Sequence, residues 1–441
     1  MARGQFLWAA AAAGGLACVT SPAMAQDASV VGPPAPVVAP PVTLAPAIDP
    51  AVTAYYALRP GAQVWFRDAD TRTAAMKLPT ILKRAASDGL LDGPALAAQV
   101  EAAIARGEPA DELILSDAWV RYVRVLTRPV DGVSYGDPAL EMKPQTPEKI
   151  LIAASRAPSL SQFVDQTAAV NPFYASLRDD AEKQGTLDDP RVHATLDRLR
   201  LIPGKGRAIV VDVANAQLMM IEDGRVVDTM KTVVGKKDAA TPLLAGTIHY
   251  VTFNPYWHIP QDVAKRKVAP IVLKRGVKYL KAARYETVAG FGQGKEDPVD
   301  PASIDWKAVA AGTTEVHIRQ LNGPANMMGK MKFGFVNDYG IFLHDTPHKD
   351  FFAKAKRNLS LGCVRLEHPE RLAQWLLGRD PTPPGDGLEQ LVQIDRGVPI
   401  YITYLSARPG EDGAIAYADD VYGLDTPGAG KAVMATAATA Q

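Results

Sequence analysis

The spacing of apolar residues changes at Arg207, and this change limits the possible folds of the 441-residue chain more than any other feature. From about Ala51 to Gly206, stretches such as "GPALAAQVEAAIARG" repeat apolar residues every three or four positions, as amphipathic helices do. From Arg207 onwards, runs such as "RAIVVDV" and "VPIYITYL" are typical of β-strands. The sequence therefore predicts an α+β protein, with an all-helical scaffold domain over 51–205 and a mainly β domain over 206–425.

One long segment interrupts the β-rich half of the sequence. Few strand signals occur between Gln261 and Thr313, where helical and polar, glycine-containing stretches alternate. A structureless loop of this length is uncommon in a compact domain, and long insertions often serve as lids. We predict a capping insertion over 261–313.

The two ends of the chain have compositions that do not favour a packed fold. Arg3, the apolar run "FLWAAAAAGGLACV" and "AMA" before Gln26 indicate a cleaved signal peptide over 1–25. An uncleaved anchor is the alternative, but the run is short for a membrane span of about 20 residues. Residues 26–50 form a Pro/Ala-rich linker, and the Ala/Thr-rich residues 426–441 are expected to be a disordered tail. No integral membrane segment is expected in the mature protein.

The charge balance argues against a nucleic-acid partner. Lys plus Arg and Asp plus Glu both number 48, so the formal net charge is zero. No basic block alternates with aromatic residues, as it does in many nucleic-acid-binding proteins.

Cys363 is the only cysteine left if Cys18 departs with the signal peptide. A lone cysteine in an exported protein indicates a reactive thiol, an intermolecular pair or a buried inert thiol, and composition does not separate the three. His344 ends the strand-like run "GIFLH" and is a candidate base. Gly362 permits a sharp turn that presents backbone N–H groups beside the sulfur. Arg365 could attract a carboxylate or brace the loop.

A metal site is the weaker interpretation of this segment. His344 and His348 have the i, i+4 spacing of zinc ligands on a helix. Pro347 and the preceding turn residues oppose a helix there, and no third ligand is evident. We expect neither a metal nor another cofactor.

The segment "IFLHDTP" followed by "SLGCVRL" resembles the signature of the L,D-transpeptidase catalytic-domain family, cysteine acyltransferases that cross-link peptidoglycan. The resemblance extends through "VVGKKDAATP", "FNPYWHIP", "GPANMMGKMKFGF" and "PIYITYL", and covers roughly Ala51 to Gly423. As a whole, the chain is similar to the large periplasmic members, which combine a catalytic domain, a capping subdomain and a helical scaffold domain. The resemblance thus implies a periplasmic location.

The resemblance also implies roles for individual residues. Cys363 matches the nucleophile and His344 the general base, while Gly362 and the amide of Cys363 fall at the oxyanion hole. Four further positions are implied to bind substrate or to shape its pocket: Ser360, Arg365, Asn326 and Trp257.

The activity implied is formation of 3→3 cross-links between stem peptides. The thiolate attacks a tetrapeptide stem after its third residue, releases D-alanine and holds the stem as a thioester that an amine of a second stem resolves. The partners would be donor and acceptor tetrapeptide stems, with carbapenems as inhibitors. Three alternatives remain open: an L,D-carboxypeptidase, an acyltransferase that attaches an outer-membrane protein to peptidoglycan, and an inactive wall-binding scaffold.

Two features depart from the family pattern. Leu361 stands where many members have a histidine, so no second imidazole can assist the thiol. The segment "LDRLRLIPGKG" leads directly into the first predicted strand, and no peptidoglycan-binding module fits between the two domains. Glycan docking is therefore expected on the catalytic domain, the cap or the scaffold.

Overall fold

The structure is a computed structural model that describes residues 47–292, 296–410 and 413–426. The predicted signal peptide, nearly all of the linker and all but the first residue of the predicted tail lie outside these residues. Within the described part of the chain, no helix combines the length and the apolar character needed to cross a membrane.

Helices dominate the chain up to residue 206, as the sequence predicts. They are α1 (Pro50–Ala57), α2 (Ala69–Arg84), α3 (Gly93–Arg106), α4 (Asp111–Leu126), α5 (Pro147–Arg156), α6 (Leu160–Ala169), α7 (Pro172–Gln184) and α8 (Pro190–Leu199), with the 3₁₀ turn Pro138–Leu140 between α4 and α5. Local chemistry sets their ends. The Asn171 side chain accepts the N–H of Tyr174 at the start of α7, and Gly185 ends α7 in a left-handed conformation.

The strands are β1 (Val133–Tyr135), β2 (Arg207–Asp212), β3 (Gln217–Glu222), β4 (Arg225–Gly235), β5 (Leu243–Phe253), β6 (Trp257–His258), β7 (Tyr285–Val288), β8 (His317–Gln320), β9 (Met331–Phe333), β10 (Leu343–His344), β11 (Asn358–Ser360), β12 (Val364–Leu366), β13 (Gln390–Thr403), β14 (Ala407–Pro409) and β15 (Ile415–Tyr417). The remaining helices are α9 (Gln261–Val263), α10 (Ala269–Arg275), α11 (Lys278–Ala282), α12 (Trp306–Ala311) and α13 (Pro369–Leu377); the π-helical turn Ala264–Val268 joins α9 to α10, and 3₁₀ turns cover Pro301–Ser303 and Lys349–Ala353.

The main sheet closes on itself. Its strands follow the order β1-β5-β13-β2-β3-β4-β12-β10-β9, β11 adds to β4, and β9 also pairs with β5. The predicted hairpin joins β3 to β4, with positive φ at Asp223 (47°) and Gly224 (74°). The enclosed core is apolar and includes Phe333, Leu343 and Val364, so the strands that carry His344 and Cys363 are anchored from inside.

The predicted helical scaffold is confirmed, and it also contributes one short strand to the main sheet. Strand β1 lies in the helical half of the chain, yet it pairs in parallel with β5, with Val133 opposite Leu243. A three-residue strand is too short to produce a readable pattern, and its pairing partner is distant in sequence. Helices α7 and α8 also share an apolar core with the outer face of the main sheet, where Leu177 and Leu196 pack in one cluster with Val210.

The predicted capping insertion is a folded subdomain. Strands β6, β8 and β7 form a three-stranded sheet in that order. The helices between them pack on this sheet around an apolar core that includes Ile259, Leu280, Trp306 and Ile318. We call residues 257–320 the cap; it is wider than the predicted 261–313 because the flanking strands β6 and β8 pair with each other.

Candidate active site

Strands β10 and β12 bring the predicted nucleophile and base together. The two strands are parallel neighbours, with Leu343 opposite Val364 and His344 opposite Arg365. Cys363 directly precedes β12, and the Val364 N–H donates to the carbonyl of Phe342 at 3.0 Å. The thiol and the imidazole thus lie on adjacent strands, with Cys363 two residues before the position opposite His344.

The Cys363 thiol is protonated in the resting site. It is half-buried, and its Sγ donates to the carbonyl of Gly340 at 3.7 Å. Burial raises the pKa of the thiol; an N–H of Phe342 and the positive charges of Arg365 and Lys332 oppose this shift. The sulfur therefore needs a base to remove its proton during attack.

His344, the predicted base, is buried and uncharged. Its side chain is buried, with 5% of its surface exposed. Nδ1 lies 2.5 Å from the carbonyl oxygen of Asp345, and because a carbonyl only accepts, Nδ1 carries the hydrogen and Nε2 has a free lone pair. Burial first, and then the charge of Arg365, lower the pKa of His344 to about 4. The imidazole is consequently neutral near pH 7.

The turn before the thiol is fixed by Ser360. Its buried hydroxyl donates to the Cys363 carbonyl at 2.6 Å and accepts the Gly362 N–H at 3.1 Å. Gly362 has a φ of +121°, a region that favours glycine. The Ser360 hydroxyl is thus engaged within the turn, and the N–H of Gly362 donates to it. The substrate role of Ser360 and the oxyanion role of Gly362 stay predictions. The N–H of Cys363 has no acceptor among the described residues.

Arg365 has the features expected of an anion-attracting group. Its guanidinium lies over the Phe351 ring, 5.6 Å from the centroid. Its Nε is buried without a hydrogen-bond partner, and no acidic side chain pairs with it in the described part of the chain. A positive charge therefore remains uncompensated two residues from the sulfur.

Asn326 and Trp257 both contribute to the structure of the cap, and their predicted contact with substrate stays a prediction. Asn326 is buried, and its amide donates to the carbonyls of Pro255, Gln320 and Leu321. Its Oδ1 accepts the N–H of Met328 at 2.7 Å. The side chain is therefore fully used to tie the base of the cap together, and Trp257 packs against the apolar core of the cap.

Lys332 is a site residue that the sequence did not indicate. It lies opposite His344 in the β9–β10 ladder, and its Nζ is 3.5 Å from a carboxylate oxygen of Glu389. Glu389 also accepts the N–H of Tyr256 at the base of the cap. Only strand pairing places Lys332 beside the imidazole, and neither residue shares a motif with the other.

The alternative zinc site finds no counterpart in the described residues, where no cluster of three or more His, Cys, Asp or Glu side chains could hold a metal ion. His348, the second histidine of that alternative, stacks on Phe351 with the ring centroids 5.3 Å apart.

Two family models match the chain. The L,D-transpeptidase catalytic domain matches residues 206–402, and a scaffold domain matches residues 50–180. The protein named "Putative L,D-transpeptidase" of Haemophilus influenzae is 29% identical over 235 residues, which are 52% of this chain and 46% of that protein. The chain thus spans about half the length of this relative.

Two solved structures are similar to the chain at a low level. An L,D-transpeptidase from Mycobacterium smegmatis has 13% identity and a TM-score of 0.22, over 45% of this chain and 58% of that one. The Ldtfm–avibactam carbamoyl enzyme has 14% identity and a TM-score of 0.23, over 46% and 50%. Neither similarity supports a comparison of the sites.

The matches confirm the α+β class, with a helical scaffold and a β-rich catalytic domain. The boundaries of the domains and the roles of the site residues remain predictions. The chain therefore carries an L,D-transpeptidase catalytic domain over residues 206–402 and a scaffold domain over residues 50–180.

Proposed function

We propose that the protein is a peptidoglycan L,D-transpeptidase that forms 3→3 cross-links through a thioester on Cys363. One observation carries the proposal: a neutral imidazole with a free Nε2 and a protonated thiol lie on the paired strands β10 and β12, with Cys363 two residues before the position opposite His344. That pair can transfer one proton from sulfur to nitrogen as the sulfur attacks a carbonyl.

The first half-reaction forms the acyl-enzyme. Nε2 of His344 takes the thiol proton while Sγ of Cys363 attacks the carbonyl after the third residue of a donor stem. The Cys363 N–H supports the resulting oxyanion. The carbonyl–nitrogen bond then breaks, the imidazolium returns its proton to the leaving nitrogen, and D-alanine departs.

The second half-reaction releases the cross-linked product. An amine of the acceptor stem attacks the thioester carbonyl and gives its proton to Nε2 of His344. The carbon–sulfur bond breaks, and the proton passes back to the thiolate. The positive charges of Arg365 and Lys332 favour stems that carry carboxylates close to the reacting carbonyl.

The acceptor determines which reaction of this class takes place. Water in place of the stem amine gives an L,D-carboxypeptidase, and an amine of an outer-membrane protein gives protein attachment to peptidoglycan. All three use the same thioester, so the products must be identified directly.

Incubation of the mature protein with purified tetrapeptide muropeptides tests the proposal. Mass analysis of the products should reveal 3→3 linked dimers and released D-alanine. The Cys363→Ala variant should keep its circular dichroism spectrum and lose all turnover, because no second thiol is available. Tripeptide alone as product would indicate the carboxypeptidase, and cross-linking by the folded alanine variant would refute the thioester mechanism.

We also propose that the chain is exported to the periplasm and that carbapenems acylate it. A sulfur that attacks an amide carbonyl beside an oxyanion donor should also open a strained lactam. One covalent adduct on the Cys363 peptide, absent from Cys363→Ala, is the expected result of intact-mass and peptide analysis.

A further inference from the structure

The segment between β15 and Thr426 is linked through Thr241 to the turn before Cys363. Tyr422 lies in this segment, beyond the last residue of the catalytic-domain match. It is buried, with 7% of its surface exposed, and belongs to the core inside the main sheet. No feature of the sequence motifs includes it.

The Tyr422 hydroxyl fixes the backbone around Thr241. It donates to the carbonyl of Gly235 at 2.5 Å and accepts the N–H of Thr241 at 3.2 Å. Gly235 must be glycine here, because a Cβ would lie 2.2 Å from the carbonyl oxygen of Ala239. The hydroxyl thus joins the end of β4 to the segment that leads into β5.

Thr241 continues the chain of contacts to the turn before Cys363. Its fully buried hydroxyl donates to the carbonyl of Gly362 at 2.7 Å and accepts the N–H of Gly235 at 2.9 Å. Both hydrogen-bonding functions of this hydroxyl are therefore used. The carbonyl of Gly362 is held on the side of the turn that faces Thr241.

Peptide geometry converts this contact into an effect on the site. In a planar trans peptide, the carbonyl oxygen and the following N–H point in opposite directions. Because Thr241 holds the Gly362 carbonyl, the N–H of Cys363 points away from Thr241. That N–H has no acceptor among the described residues, whereas the Gly362 N–H is occupied by Ser360.

We infer that Thr241 and Tyr422 are positioning residues that aim the Cys363 N–H at the oxyanion of the reacting acyl group. The inference rests on the proposed function, since an oxyanion forms only in acyl transfer. Neither side chain touches the sulfur or the substrate; both act through the orientation of one peptide plane.

The same segment is tied to the scaffold. The guanidinium of Arg198, on α8, donates to the carbonyls of Tyr404 and Leu424 and pairs with Asp425 at 3.4 Å. The rings of Tyr404 and Tyr422 stack with their centroids 5.6 Å apart. Helix α8 therefore supports the residue that orients the turn, and the functional unit extends past the matched catalytic domain.

Two reagents separate oxyanion support from thiol reactivity. A carbapenem carbonyl becomes an oxyanion when the sulfur attacks it, the lactam carbon–nitrogen bond breaks, and the nitrogen takes a proton. Iodoacetamide alkylates the thiol: the sulfur bonds to its saturated carbon, the carbon–iodine bond breaks with loss of iodide, the thiol proton passes to solvent, and no oxyanion forms. Both reactions consume the same thiol and are followed by intact mass on the mature protein.

Thr241→Val should lower the carbapenem acylation rate constant by about 10²-fold, the usual loss for one oxyanion donor. Tyr422→Phe should lower it by about tenfold through a smaller misalignment. Alkylation by iodoacetamide should change less than twofold in both. Thr241→Ser, which keeps the hydroxyl, should restore most of the acylation rate.

Tyr404→Phe is the matched control. Its hydroxyl contacts the Asp419 carbonyl, the Tyr422 N–H and the Asp420 side chain. None of these groups bonds to Gly235, Thr241 or Gly362, so acylation should remain near the original rate. If Thr241→Val does not fold, the Tyr422→Phe and Tyr404→Phe pair decides the question.

The outcomes distinguish the inference from the proposed function. If the unchanged protein is alkylated but never acylated, the proposed function fails and the inference fails with it. If the unchanged protein is acylated and Tyr422→Phe is acylated equally fast, only the inference is overturned. Equal losses of acylation and alkylation would also overturn it, because they would indicate general damage to the site.

Discussion

At the scale of residues, the site is a pair of uncharged groups. Burial raises the pKa of Cys363 and lowers that of His344 to about 4, so the proton stays on sulfur over the neutral range. A thiolate–imidazolium pair would require the opposite shifts. Attack and proton transfer must therefore be coupled, and the orientation of His344 through Asp345 matters for the rate.

This arrangement predicts an unusual pH dependence. His344 is a free base above pH 4, so the carbapenem acylation rate constant should be nearly constant from about pH 5 to 8 and should fall as pH drops through about 4. In His344→Ala, the rate should fall by about 10²–10⁴-fold at pH 7. The acylation rate constant of this variant should rise about tenfold per pH unit, because the fraction of Cys363 present as thiolate rises by that factor.

Stopped acylation reactions analysed by intact mass would measure both profiles. His348→Ala removes an exposed imidazole from the same segment and should leave the profile unchanged. If the acylation rate constant of the unchanged protein already fell between pH 7 and 6, the prediction that Cys363 and His344 are both uncharged would be contradicted.

At the scale of elements, the cap is joined to the site at its base. The Asn326 amide donates hydrogen bonds to three backbone carbonyls there. A few residues later, the N–H of Lys330 donates to the side-chain carboxylate of Asp345 at 2.8 Å. Asp345 holds the imidazole of His344. The cap thus has its own core, but the residues at its base are connected to those that orient His344. This arrangement suits a lid that limits the access of water to the proposed thioester.

Weakening the core of the cap should shift the thioester from transfer to hydrolysis. Trp306 is buried in this core, and Trp306→Ala should destabilise the cap by about 3–5 kcal/mol. We expect a several-fold higher ratio of tripeptide to cross-linked dimer in muropeptide assays. Leu273→Ala, which changes a half-exposed residue of α10, serves as control. An unchanged ratio in Trp306→Ala would leave the lid without support.

At the scale of the whole molecule, the described residues from Ile48 onwards form one compact unit. Strand β1 of the helical half pairs with β5 of the main sheet. Helices α7 and α8 cover the outer face of that sheet, and the C-terminal segment is bound by Arg198 of α8. The scaffold is therefore part of the support of the active site and not a separate module.

A destabilising substitution on the scaffold side of this shared core should also impair the active site. Leu177 of α7 is fully buried there, and Leu177→Ala should lower the free energy of unfolding by about 2–5 kcal/mol. Loss of helical circular dichroism and loss of carbapenem acylation should occur at the same, lowered temperature. Leu91→Ala, at a leucine that is 83% exposed, should leave both transitions in place. Retention of acylation after the helical signal is lost would show two independent units.

The sequence alone determined the features that depend on local pattern. The change of period at Arg207 separates helices from strands, because alternation and three-four spacing are properties of short segments. The hairpin at Asp223 and Gly224 follows from the conformations that those residues adopt. Cys363 and His344 were identifiable because the thiol, the glycine before it and the strand-end histidine lie in one short segment.

Tertiary structure decided everything that depends on pairing between distant segments. Lys332 faces His344, Thr241 faces Gly362 and Tyr422 faces Gly235 only because the main sheet closes. The same pairing engages Ser360 and Asn326 with backbone groups, a contact that the family resemblance did not indicate. A hydrogen bond forms only within a narrow range of donor–acceptor distances and angles. Whether two distant groups meet that range depends on the packing of the complete chain, which no local pattern encodes.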